Sequence, residues 1–222
     1  MMVTTAYAPT ADIVHRAKQL AGESGLYYVR RGHATLPRLS ARYGEDEWLI
    51  VGKDGIRYVR TGNAPVFFHP STAYLRIQRL LKGESDPMLA ASGAASGDQV
   101  LDCTAGLASD AIVFASRVGP EGGVTALESR LPIYLVVREG LSDYVSDLPE
   151  LQAALPRIRM KHADHLDFLR EQADDCFDIV YFDPMFRIPV HESKAIEPLR
   201  HVSDARPIRQ EAVSEAVRVA RK

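Results

Sequence analysis

The 222-residue sequence has only two cysteines, Cys103 and Cys176. Two thiols make neither a disulfide framework nor a cysteine-based metal cluster, so a reduced, cytoplasmic protein is expected. No apolar run reaches the roughly 20 residues that a membrane helix needs. The opening residues MMVTTAYAPTADIVHRAK also lack the apolar core of a signal peptide, and no membrane partner is expected. A strong net charge is missing as well. At -2, with 46% hydrophobic and 25% charged residues, the chain is not a disordered one, and its overall charge does not announce a nucleic-acid partner.

What charge there is divides unevenly. Residues 1–90 hold 12 Lys/Arg against 8 Asp/Glu, and residues 91–222 hold 15 against 21. The N-terminal third reads as a small α/β unit. It has a strand over Val3–Thr5, a helix from Ala11 capped by Thr10, a strand over Leu26–Val29 and a helix over Leu36–Tyr43. A β-hairpin is predicted from Trp48–Val51 and Ile56–Val59 around Lys53-Asp54-Gly55. The linker Thr61–Pro65 sets the boundary, giving a domain over residues 1–64 and a second over 65–222.

In the second part, helices are predicted over Ser71–Leu81 and Pro87–Ala91, and then the rhythm changes. Strands over Gln99–Asp102, Val124–Glu128, Ile158–His162 and Phe177–Asp183 alternate with helices over Ala108–Arg117, Pro132–Glu139, His165–Gln172 and Arg209–Ala220. That alternation predicts a mostly parallel sheet. Ligands of such sheets lie beyond the carboxyl ends of the strands. Asp102, Glu128, Asp164 and Asp183 occupy those ends, and together they form a candidate site.

The loop Asp102-Cys103-Thr104-Ala105-Gly106-Leu107-Ala108 has one glycine where a dinucleotide fingerprint needs three, and no Gly-Lys-Ser/Thr follows it. Acids around a small loop suit a ligand without phosphates. S-adenosylmethionine (SAM), with its sulfonium, ammonium, ribose diol and adenine, has that character. Glu128 can accept both ribose hydroxyls. Asp164 reads equally as an acceptor for the adenine amine or as the N-cap of the next helix. Asp183-Pro184-Met185-Phe186 offers a carboxylate and a carbonyl to orient an amine, and a ring to stack on a planar base. No metal is needed, since a sulfonium is already an activated leaving group.

The segments VLDCTAGLASDAIVFAS, VTALESR, KHADHLDFL and FDIVYFDPMF resemble class I SAM-dependent methyltransferases, and so a Rossmann-like fold is expected. More narrowly, D-x-T-A-G-L-x-x-D-A with Y-x-D-P-M-F resembles the small-subunit ribosomal RNA (guanine-N2) methyltransferase J family and its Gram-positive relatives. That resemblance implies cofactor binding by Asp102, Thr104, Ala105, Gly106, Glu128, Ser129 and Asp164, with catalysis by Asp183, Pro184 and Phe186. Asp110 belongs to the same loop pattern, as a partner of backbone amides. The implied activity is methyl transfer to an exocyclic amine, guanine N2 of ribosomal or other structured RNA, with rRNA or the small ribosomal subunit as partner. A small-molecule or protein methyltransferase, or a non-catalytic SAM-binding module, are the alternatives. Arg76, Arg79 and Lys82 read either as an RNA-phosphate stripe or as a solvated face. The family pattern also implies further sheet strands after the point where this sequence ends.

Overall fold

The computed structural model describes residues 1–184, 202–204 and 206–221. They form two compact units, one of residues Met1–Phe68 and one beginning at His69.

The first unit is a five-stranded mixed sheet with two helices. Its elements are β1 (Met2–Thr5), α1 (Ala11–Glu23), β2 (Tyr27–Tyr28), α2 (Leu36–Tyr43), β3 (Glu47–Gly52), β4 (Gly55–Arg60) and β5 (Val66–Phe67). The strand order is β2-β1-β3-β4-β5; β1 runs parallel to both neighbours, and the β3–β4 hairpin is antiparallel. Trp48 anchors the core with Val29 and Leu39, fully buried. Its indole N–H is satisfied by the Ser40 hydroxyl at 2.9 Å and the Glu45 carbonyl at 3.1 Å, as a buried donor requires. Leu36 and Pro37 start α2, and Gly44, at φ +66°, stops it.

The second unit contains α3 (Ser71–Leu81), α4 (Pro87–Ser92), β6 (Gln99–Asp102), α5 (Ser109–Val118), β7 (Gly123–Glu128), α6 (Leu131–Asp143), α7 (Pro149–Ala154), β8 (Ile158–His162), α8 (His165–Arg170), β9 (Ile179–Tyr181) and α9 (Gln210–Val219). Its four strands are all parallel, in the order β8-β7-β6-β9. The chain therefore builds outward from β6 on one side and returns to its other side with β9, as Rossmann-like sheets do. This is the expected α/β, mostly parallel architecture. Six residues of α5, from Ala111 to Val118, are buried, so this helix sits in the interior rather than on a surface.

Several features depart from the sequence-based expectation, β5 and the shorter β2 among them. The strand expected over Phe177–Asp183 shrinks to three ladder residues. At its start, Phe177 N–H bonds to Val219 O at 3.0 Å, and Arg221 N–H bonds to Phe177 O at 2.8 Å, so this end pairs with the segment after α9. At its end, Asp183 N–H donates to the Thr104 hydroxyl at 2.7 Å rather than to a strand. Helix α7 and the single 3₁₀ turn after it, Leu155–Arg157, were also not expected; at six and three residues they are too short to show a period. No helix among the described residues is long and apolar enough to cross a membrane.

The entry to β7 is tight. A methyl group on Gly122 would lie 2.6 Å from both the Asp98 carbonyl oxygen and Val118 Cβ, neither of which is a flexible tip. Gly122→Ala is expected to lower unfolding free energy by about 1–3 kcal/mol, the usual cost of overpacking; urea unfolding midpoints measure it, and an unchanged midpoint would contradict the packing.

Candidate active site

The carboxyl ends of β6, β7 and β9 converge where the strand order reverses. Asp102 ends β6 with only 1% of its surface exposed, and Glu128 ends β7 with 8%. Each carboxylate is held from below by the backbone just beyond it. Asp102 accepts the Thr104 N–H at 3.0 Å, and Glu128 accepts the Arg130 N–H at 2.7 Å. Asp183 follows two residues past the end of β9, with its backbone tied to Thr104. The first loop thus holds both Asp102 and Asp183.

The loop itself is pinned on both sides. Cys103 N–H bonds to Tyr181 O at 2.9 Å and Ala105 N–H to Leu127 O at 3.0 Å. Gly106 at φ +51° and Ala108 at φ +61° turn the chain into α5. Alanine seldom adopts that left-handed conformation, at a cost of about 1 kcal/mol. A buried methyl at Ala108, with no exposed surface, is what the packing gains there.

The electrostatics follow from burial. Desolvation pushes the Asp102 carboxyl up to about 7, opposed by the Thr104 N–H and reinforced by Asp110, Asp183 and Glu128. Desolvation likewise pushes Glu128 to about 7, opposed by the N–H groups of Arg130 and Gly106 and reinforced by Asp204. Asp183 is also raised, by burial and then by Asp110, while Arg76 pulls it the other way. Three acids thus share a region in which each resists ionisation.

Other expected residues sit differently. Asp164 is the N-cap of α8: one carboxylate oxygen accepts the Leu166 N–H at 2.9 Å, and the other pairs with Arg206 at 2.9 Å. The Ser129 carbonyl oxygen lies 3.0 Å from His162 Nε2, and His162 stacks on Tyr134. Pro184 follows Asp183 directly, and Phe186 lies outside the described residues. Among the described residues, no group of three or more His, Cys, Asp or Glu is arranged to hold a metal ion.

A network not foreseen from the sequence lies behind these acids. Arg76 on α3 forms a two-point pair with Asp86 at 2.7 and 2.9 Å and also pairs with Asp110. Asp110 in turn accepts the Tyr181 hydroxyl at 3.2 Å, so it bonds side chains where backbone amides were expected. Arg76 is therefore turned into the unit, its side chain 19% exposed, whereas Arg79 and Lys82 are exposed. The three do not form one RNA-phosphate stripe. Of the acid partners, only Asp110 stood out in the sequence, as a loop residue, and nothing there says that Asp86 and Asp110 share a cation.

The sheet order and the carboxylates at its switch point define a class I SAM-dependent methyltransferase fold. The family model described as "Putative SAM-dependent methyltransferase" matches residues 48–198. The chain belongs to that family, and its cofactor is SAM. The chain is 41% identical over its full length to "Uncharacterized protein YpiP" of Bacillus subtilis (strain 168), covering 86% of that protein. It is 32% identical over 65% of its length to "Ribosomal RNA small subunit methyltransferase J" of Ectopseudomonas mendocina (strain ymp), of which it spans 57%. The crystal structure of a SAM-dependent methyltransferase from Neisseria gonorrhoeae superposes with a TM-score of 0.59 at 19% identity, over 83% of this chain and 70% of that one.

The donor set suits this cofactor. Acids that burial holds back from ionising in the empty protein suit a cationic ligand, such as a sulfonium with an ammonium. Both raised carboxyls stand above their unfolded values, so the empty protein loses stability as pH rises from about 4 towards 7, where they ionise. A ligand that prefers them ionised binds more tightly over the upper part of that window. SAM affinity is expected to rise about tenfold from pH 6 to pH 8 with proton release on binding, read by calorimetry in two buffers; Glu128→Gln flattens the rise. A pH-independent affinity would contradict it.

The Arg76 pairs make a second test. Arg76→Met strands Asp86 and Asp110 and is expected to cost about 3 kcal/mol of stability. Arg79→Met and Lys82→Met should stay within about 0.5 kcal/mol, as exposed positions do. Equal effects in all three, by urea unfolding, would return Arg76 to the surface.

Proposed function

We propose that the protein transfers the methyl group of SAM to an exocyclic amine, guanine N2 in ribosomal or other structured RNA, in the cytoplasm. The observation that carries this reading is Asp183-Pro184, a carboxylate and a carbonyl just past β9, beside the buried acids of β6 and β7. The similarity to proteins named for small-subunit ribosomal RNA methylation supports RNA as the acceptor.

In this reading the loop from Asp102 through Thr104, Ala105 and Gly106 holds the amino-acid end of the cofactor. Glu128 and Ser129 hold its ribose, and Asp164 shares its Arg206-paired oxygen with the adenine amine. When bound, SAM supplies a methyl group activated by its sulfonium. Asp183 and the Pro184 carbonyl accept the two N–H bonds of the acceptor amine and aim its lone pair. The Thr104 hydroxyl fixes the Asp183 backbone, and Asp110 with Tyr181 braces the strand that leads to it. As the new N–C bond forms, the amine becomes more acidic. The raised Asp183 carboxyl is suited to take the proton it loses. Phe186 stacks on the base.

Asp183→Asn removes the proton acceptor but keeps the size of the side chain. Labelled methyl transfer from SAM into ribosomal RNA from cells lacking the protein is expected to fall at least a hundredfold. SAM affinity by calorimetry should stay within about threefold. Full activity in this variant would overturn the acceptor role.

A further inference from the structure

The first unit contains a cleft lined by none of the candidate active-site residues. It has a volume of about 510 Å³ and opens at the carboxyl ends of the parallel strands β1 and β3. Ile13, Ile50, Val59 and Pro65 supply apolar lining. Ile50 and Val59 share one face of the β3–β4 hairpin with Arg57, because 50 pairs with 57 and 48 with 59. Above this lining stand three cations, Arg31, Lys53 and Arg57, against a single acid, Asp54.

The cations differ in how they are held. The Arg31 guanidinium lies 3.9 Å from the centre of the Tyr7 ring, and Tyr7 is itself 52% exposed. Arg31 Nε donates to Ala34 O and Nη1 to Thr5 O, both at 3.2 Å. These bonds fix the plane of the fork without involving Nη2. Arg57 sits 6.0 Å from the Phe67 ring, and its contact with Asp54 is a loose 4.0 Å pair on the surface. Such a pair contributes little and is readily exchanged for a better anion. The charge of the whole unit agrees: residues 1–68 hold 9 Lys/Arg against 6 Asp/Glu, while the chain overall is acidic.

An apolar lining beside an exposed ring takes the face of a base. Fixed guanidinium groups take phosphate oxygens, for which their fork is shaped. The volume is in the range of small-ligand sites. We propose that this cleft binds a nucleotide of single-stranded RNA, its base against Tyr7 and the apolar lining and its phosphates on Arg31, Lys53 and Arg57. The cleft is a second RNA contact, made by the first unit. The choice of RNA over a free nucleotide rests on the proposed function.

The test uses the full chain and a fluorescently labelled ten-nucleotide oligouridine, with anisotropy read at several salt concentrations. The Lys53→Gln/Arg57→Gln double variant is expected to raise Kd at least tenfold. It should also lower the slope of log Kd against log salt by about 1.4, since each lost phosphate contact on a single strand removes about 0.7. Arg31→Lys keeps the charge but loses the fork, and should raise Kd at least threefold. SAM affinity should be unchanged in both variants. Unchanged RNA affinity and slope in the double variant would overturn the proposal. So would guanosine monophosphate binding as tightly as the decamer, which would make the ligand a free nucleotide. Decamer binding that the double variant loses supports the cleft even if no RNA fraction accepts a methyl group, a result that would count only against the proposed reaction.

Discussion

Carboxylates taken out of water resist ionisation, and the second unit takes two of them almost wholly out of water at the tips of neighbouring strands. Asp102 and Glu128 stay there because backbone N–H groups two residues on turn back to meet them, and because the strands that carry them are locked in one parallel ladder. Their burial, reinforced at Asp102 by Asp110, Asp183 and Glu128 and at Glu128 by Asp204, is a strain on the empty protein once they ionise. In the proposed reading a cationic ligand relieves it, and the burial that weakens the unliganded fold gives affinity for a sulfonium donor. The tight loop, the strained Ala108 and the Thr104 link all serve to keep those acids together.

A second electrostatic layer supports the first. Arg76, between Asp86 and Asp110, neutralises acid that would otherwise add to the load on the site, and it lowers Asp183 while Asp110 raises it. The Tyr181 hydroxyl closes the network onto the strand next to β6. Helix α3 therefore contributes to the site although it precedes the first strand of the sheet. The two units also divide the charge between them. The second unit is acidic at the ends of β6 and β7, and the first unit carries Arg31, Lys53 and Arg57 around its cleft.

Most of the second unit was legible in the sequence because parallel strands buried on both faces leave short apolar runs, and the helices between them leave their own period. Asp102 and Glu128, the acids that end β6 and β7, and the single-glycine loop follow directly from those runs. The length of the last strand did not, because Phe177 and Asp183 look like strand residues and are withdrawn from the ladder by Val219 and Thr104, far away in sequence. The same holds for Asp164. One side chain serves as helix cap and Arg206 partner at once, and nothing local in the sequence points to Arg206.

The amino-acid sequence by itself determined the alternation of strand and helix, the acids at the strand ends and the family to which the chain belongs, since these depend on residue type and local spacing. Tertiary structure alone decided that Arg76 faces inward, that Asp110 bonds side chains, and that Arg31, Lys53 and Arg57 surround one cleft. Those outcomes depend on which distant segments the folded chain brings within hydrogen-bonding reach, and no local pattern encodes that distance.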